Sequence, residues 1–150
     1  MISASLETPV GALSVTERGG ALVRLDWSAA ATGRSALLDR AVAQLRAYFA
    51  GELTEFDLPL HVEGSEFQKA VCEAMQAIPF GETRTYGEIA KDLGAPPQPV
   101  GNACGGNPIP VIIPCHRVLS ATGLGGFSGQ GGVETKVALL KHEGAAGLLI

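Results

Sequence analysis

Pro114-Cys115-His116-Arg117 sets a thiol, an imidazole and a guanidinium side by side at the end of the apolar run Ile109-Pro110-Val111-Ile112-Ile113. Cysteine reacts as the thiolate, and neighbouring cationic or hydrogen-bonding groups raise the thiolate fraction. A histidine can act as the base that takes the thiol proton, and a carboxylate behind it holds the imidazole in the useful tautomer. Glu143, in Lys141-His142-Glu143-Gly144, is the candidate carboxylate. Two other readings compete. A cysteine beside an apolar run is most often a small buried core residue. Cys72, Cys104 and Cys115 with His61, His116 or His142 could also serve as metal ligands, but no C-x₂₋₄-C pair occurs, so no metal is expected. The residues alone leave a reactive Cys115 and a structural one open.

The elements that must position this segment fall into two groups. ISASLETPVGALSVTERGGALVRLDW has alternating and β-branched stretches broken at Pro9-Val10-Gly11 and Arg18-Gly19-Gly20, the pattern of an antiparallel meander. Leu37, Leu38, Ala41, Leu45, Tyr48 and Phe49 recur at helical spacing, so a helix is expected over 35–50, with Gly51 where a C-terminal cap belongs. A short strand over 56–60 is expected to close this unit, which reads as a scaffold. The character changes at Glu63-Gly64, giving units 1–63 and 64–150. Ser65 is an expected N-cap, and Phe67, Val71, Met75 and Ile78 mark the buried face of a helix ending before Pro79. Tyr86, Ile89, Ala90 and Leu93 form one short amphipathic helix, Gly94 breaks it, and a second begins at Pro96 or Pro97. Pro99 is tolerated there, because the first four helical N–H groups have no intrahelical partner. Two short helices about a glycine turn give the outline of a helix-turn-helix.

Composition bounds the answer. With 150 residues, 46% hydrophobic and 17% charged, the chain has material for a real core. The net charge is −4; residues 1–64 hold five of the eleven basic and eight of the fifteen acidic side chains, leaving six and seven for 65–150. Any nucleic-acid contact therefore rests on local geometry more than on a basic field, and binding should be weak and salt-sensitive. The stretch MISASLETPV has neither a basic region nor an apolar run, and three unpaired cysteines suit a reducing compartment, so a cytoplasmic protein without membrane contact is expected.

From about Phe67 to Gly144 the chain resembles the C-terminal domain of the O6-alkylguanine-DNA alkyltransferase family (methylated-DNA–protein-cysteine methyltransferases). The resemblance is carried by PFGETRTYGEIA, GNACGGNPIPVIIPCHRVL, GGFSG and LLKHEG, in that order, and more weakly by YFAGELTEFDLPL ahead of them. It implies an α/β N-terminal unit of ribonuclease-H-like shape followed by a mainly α domain with a helix-turn-helix. It also implies stoichiometric, irreversible transfer of the alkyl group from O6-alkylguanine in double-stranded DNA, with O4-alkylthymine as a second allowed substrate. No cofactor is implied, and a monomer suffices for repair of one base.

Residue roles follow from the same resemblance. Cys115 is the alkyl acceptor, and His116 with Glu143 forms a water-bridged relay for its proton. Asn107 matches a hinge asparagine between the helix-turn-helix and the acceptor. Tyr86 matches a tyrosine that rotates the target phosphate during base flipping and protonates the leaving guanine. Val118, Phe127 and Ser128 fall on the guanine pocket and its lid, and Lys136 matches a pocket lysine. Gln98, Gly101 and Asn102, with Tyr86, are expected to face DNA, while Arg117 ties loops together. Gln98 departs from the family's usual arginine, Gly105 stands where some relatives carry arginine, and Cys72 replaces a tryptophan. Glutamine there can still fill the gap left by a flipped base, at lower DNA affinity. The rival readings are an alkyltransferase-like lesion sensor, against which Cys115 argues, and a cysteine hydrolase on another fold, which would need neither Tyr86 nor a helix-turn-helix.

Overall fold

Pro9-Val10 and Gly19-Gly20 turn the chain twice within its first 26 residues, giving strands β1 (Ile2–Thr8), β2 (Gly11–Arg18) and β3 (Ala21–Asp26). Gly19 and Gly20 both take positive φ, 62° and 82°, as a two-residue hairpin that matches strand twist requires. The strands pair antiparallel in the order β1-β2-β3, with Leu6 opposite Leu13 and Val15 opposite Leu25. Helix α1 (Ala36–Phe49) begins where Ser35 accepts a hydrogen bond from the Leu38 amide at 3.0 Å. It packs on β1 and β2, burying Leu38, Ala41, Leu45 and Tyr48. The computed structural model describes residues 1–127, 129 and 131–145, and the chain divides into two compact units, Met1–Glu63 and Gly64–Ile150.

The strand expected over 56–60 does not form. Only Leu60 bridges to the sheet, beside Leu22, flanked by bonds from the Leu22 amide to Pro59 O and from the His61 amide to Leu22 O, each 2.9 Å. The reason is local competition. Gln44 of α1 both donates to Asp57 O (3.1 Å) and accepts from the Asp57 amide (2.9 Å), and Arg40 donates to the same carbonyl. Side chains of a helix thus satisfy the backbone that a strand partner would otherwise pair.

The second unit is mainly helical. Helix α2 (Glu66–Gln76) starts at the cap Ser65, whose hydroxyl accepts from the Gln68 amide. Helix α3 (Tyr86–Leu93) starts at a reciprocal capping box in which Thr85 and Glu88 each bond the other's backbone amide. Gly94, left-handed at φ 65°, ends α3, and α4 (Pro97–Gly105) packs against both α3 and α2. Pro97 and Pro99 fall within the first turn of α4 and forfeit no bond there. Strand β4 (Arg84–Thr85) precedes α3, and β5 (Val118–Leu119) follows a 3₁₀ turn over Cys115–Arg117. These two-residue strands pair in parallel, Arg84 with Val118 and Thr85 with Leu119. Helix α5 (Val133–His142) is the last element among the described residues. Among the described residues no helix is long and apolar enough to cross a membrane.

Candidate active site

The acceptor segment is a clamped loop. Asn107, 8% exposed, donates from Nδ2 to Ile113 O at 2.8 Å and accepts the Ile109 amide at 3.0 Å, so one side chain closes the run Ile109–Ile113 on itself. The Ile113 amide bonds Ile109 O (2.8 Å), the Cys115 amide bonds Ile113 O (2.8 Å) and the Arg117 amide bonds Pro114 O (3.0 Å). Inside this turn Val111 takes φ 74°, a region that costs a β-branched residue about 1–3 kcal/mol. Ile109, Val111 and Ile113 are all fully buried, and that packing holds the strained backbone in place.

Cys115, 6% exposed, is thereby fixed at the head of the 3₁₀ turn. Burial pushes its thiol above the usual cysteine range; the Asn107 side chain, by hydrogen bonding to sulfur, and the positive charge of Lys136 pull it back down. Next to it the His116 side chain is wholly buried, with Nε2 2.7 Å from Glu143 Oε2. Burial drives the imidazole below its ordinary value, the Glu143 hydrogen bond and charge oppose this, and the charges of Arg117 and Lys136 add to the lowering. Since Nε2 faces only a carboxylate oxygen, the neutral ring carries its proton there and Nδ1 is left as an acceptor. Nδ1 is buried and has no hydrogen-bond partner among the described residues.

Glu143, the residue that ends α5, serves two partners at once. Arg117 donates Nε to Oε1 at 2.8 Å and Nη2 to Oε2 at 3.0 Å, the fork-to-fork geometry that guanidinium makes with carboxylate. Its Nη1 donates to Ile78 O at 2.6 Å, tying the end of the α2 segment to the same carboxylate. The loop-tying expected of Arg117 is thus specific: it orients the carboxylate that orients the histidine.

Tyr86 arrives through the β4–β5 pair, which sets the first residue of α3 beside the segment that follows Cys115. Its phenol is raised above its ordinary value, first by burial and then by the thiols of Cys104 and Cys115. Lys136 Nζ lies 5.9 Å from the centroid of the Tyr86 ring. The Lys136 side chain is fully buried, and its ammonium donates to Val118 O (2.7 Å) and Gly126 O (3.0 Å). Burial pushes it down to about 8, against the opposing pull of Cys115 and Cys104. A cavity of about 380 Å³ opens in front of the sulfur, lined by Tyr86, Gly101, Cys104, Gly105, Cys115, Gly126 and Phe127.

The structure therefore brings Cys115, Tyr86 and Phe127 together on one cavity, with His116, Glu143 and Asn107 buried outside its lining. Val118 and Lys136 are fully buried outside that lining, and Lys136 reaches it through Gly126 O. Gly101 lines the cavity, whereas Gln98 and Asn102 are exposed on α4 outside it. Ser128 lies outside the described residues. Sequence reasoning missed Cys104, considered there only as a metal ligand, and Gly105 as wall residues. Their spacing from Gly101, three and four residues along a helix, was the available signal. Cys72, Cys104 and Cys115 are all buried free thiols, and burial first of all pushes Cys104 up to about 12.

Comparison with known proteins covers both units. The family model described as the DNA binding domain of 6-O-methylguanine DNA methyltransferase matches residues 66–145, and that of its ribonuclease-like domain matches residues 1–62. The methylated-DNA–protein-cysteine methyltransferase of Mycolicibacterium paratuberculosis is 45% identical over 150 residues, covering 93% of this chain and 90% of that protein. The crystal structure of Mycobacterium tuberculosis O6-methylguanine methyltransferase superposes with a TM-score of 0.85 at 41% identity, over 99% of this chain and 96% of that one. A structure of Mycobacterium tuberculosis OGT in complex with DNA superposes at 0.82 with 43% identity, over 95% and 92%. The chain belongs to the 6-O-methylguanine DNA methyltransferase family.

Proposed function

We propose that this protein repairs O6-alkylguanine in double-stranded DNA by moving the alkyl group onto Cys115, once per molecule. The observation that carries the reading is the buried run Cys115, His116, Glu143, Arg117 beside a cavity that both Cys115 and Tyr86 line. The target lies inside the duplex and must be flipped into that cavity. Residues of α3 and α4 are read as the helix-turn-helix that meets the duplex, with Tyr86 turning the target phosphate and Gln98 filling the gap left by the base.

The thiol proton passes to His116 Nδ1 through one bridging water, and Glu143, held by Arg117, takes up the growing positive charge on the ring. Sulfur attacks the alkyl carbon in line, forming the S–C bond as the C–O6 bond breaks. Tyr86, kept protonated by its raised pKa, donates to the departing guanine, which leaves neutral. Asn107 and Lys136 stabilise the thiolate before attack. The thioether has no neighbouring group able to cleave it among the described residues, so each molecule acts once.

Intact-mass spectrometry after incubation with an O6-methylguanine duplex tests this. One methyl adduct per chain, mapping to Cys115 and absent from Cys115→Ser, is the expected result. Retained lesion binding without an adduct would instead make the protein a sensor, and repeated turnover would make it a hydrolase.

A further inference from the structure

We propose that Gln68, in the first turn of α2, is a positioning residue for transfer: its side-chain amide holds the last turn of α4, and with it one side of the cavity, in place relative to Cys115. The inference rests on the acceptor role of Cys115 and the duplex-facing role of α4 proposed above. Gln68 Nε2 donates to Ala103 O at 2.8 Å, joining residues 35 apart in the chain. Ala103 is among the last four residues of α4, whose carbonyls have no partner further along the helix. The Gly106 amide also reaches that oxygen at 3.1 Å, but it is shared with Asn102 O at 3.0 Å. Gln68 supplies the donor that the backbone only divides.

Helix α4 depends on such outside support. It is nine residues long, carries glycine at 101 and 105, has no basic residue in its last turn and no side-chain bond at its Pro96 cap. Glycine and proline are the poorest helix formers, so little within α4 fixes where it ends. The Gln68 amide, by contrast, is well fixed. Ser65 accepts its backbone N–H at 3.0 Å, and Nε2 also lies 3.6 Å from Cys72 Sγ, one turn along α2. The approach is close: a Cβ added at Gly106 would come within 3.3 Å of Gln68 Oε1. Gly101, Cys104 and Gly105 line the cavity with Cys115, and Gln68 lies outside that lining. It therefore acts through α4, by placing the wall against which the flipped base is seated. A reacting atom misplaced by about 1 Å slows a reaction by up to about 10²-fold.

The test compares the unaltered protein with Gln68→Met, which keeps length without a donor, Gln68→Lys, which restores a donor, and Gly106→Ala, which crowds the amide while leaving it present. Two rates are read for each folded variant. One is single-turnover transfer from saturating O6-methylguanine duplex; the other is alkylation of Cys115 by iodoacetamide without DNA, mapped by peptide mass. Transfer should fall about tenfold or more in Gln68→Met and severalfold in Gly106→Ala, and recover in Gln68→Lys. Iodoacetamide rates should stay within about twofold throughout, because the sulfur and its relay are untouched. Unchanged transfer in both Gln68→Met and Gly106→Ala overturns the proposal. So does a parallel fall of both rates, or a lysine variant that transfers no faster than the methionine one. Absence of transfer in the unaltered protein would overturn the acceptor role itself and this inference with it.

Discussion

Glu143 is the residue on which two kinds of energy meet. Replacing one oxygen by an amide in Glu143→Gln leaves Arg117 buried opposite a neutral partner, and breaking a buried pair of this kind costs about 3–5 kcal/mol. The same change weakens the imidazolium that forms during transfer, a contribution of about 10²-fold or more for general base catalysis. Denaturant titration and single-turnover rates should therefore both fall for this variant, while His116→Ala lowers the rate with the Arg117–Glu143 pair intact. The pH profile has a definite sign. His116 accepts a proton only when neutral, and its lowered pKa places that limb below about 6.5. The raised thiol of Cys115 ionises more as pH rises, and Lys136 loses the charge that favours the thiolate near about 8. Single-turnover rates should rise with pH below about 6.5 as His116 becomes neutral, and any further gain from thiol ionisation should slacken near about 8 as Lys136 loses its charge; a rate that falls as pH rises between these limits would contradict the relay.

At the scale of elements, the short β4–β5 pair and the capping box of Thr85 and Glu88 together decide where Tyr86 stands. Thr85→Ala should cost about 1 kcal/mol, read as a lower melting temperature, and should slow transfer severalfold because Tyr86 is the first residue of the helix it caps. Caps and breakers made much of the fold legible beforehand: Ser65, Gly94 and the prolines of α4 carry their meaning in local chemistry. The chemical segment was legible for the same reason, since Cys115, His116 and Arg117 are adjacent in the chain. What escaped depends on partners far apart in sequence. Two-residue strands show no periodicity, so nothing in Arg84-Thr85 announced Val118-Leu119. The segment 56–60 has strand-like residues, yet its backbone is taken by Arg40 and Gln44 from a helix. The pairing of Arg117 with Glu143 joins residues 26 apart, and no local rule selects it over solvent.

For the whole molecule the relevant quantity is charge. Residues 65–150 carry six basic and seven acidic side chains, and Arg84 of β4 is paired with Asp92 of α3 at 2.7 Å. Little long-range field steers the second unit toward DNA, so contact depends on shape and a few local donors. Gln98→Arg adds one cation on the exposed start of α4. It should tighten duplex binding and steepen the dependence of log K on log salt by about 0.9 for one added phosphate contact. An unchanged slope in fluorescence titrations would place residue 98 away from the backbone, and unchanged repair rates would remove it from the gap-filling role.

The clamped loop around Val111 has a consequence in the time domain. Asn107 bonds both ends of the Ile109–Ile113 turn, and the amides of Ile113, Cys115 and Arg117 all close short internal bonds. A strained turn held by full burial opens only when its surroundings open, so these amides should exchange with deuterium as slowly as the core of α2, and far more slowly than residues 121–126. If they do, the sulfur has no excursion of its own on the timescale of repair. The lesion then makes the whole journey, and the delay between encounter and transfer belongs to DNA rather than to the protein.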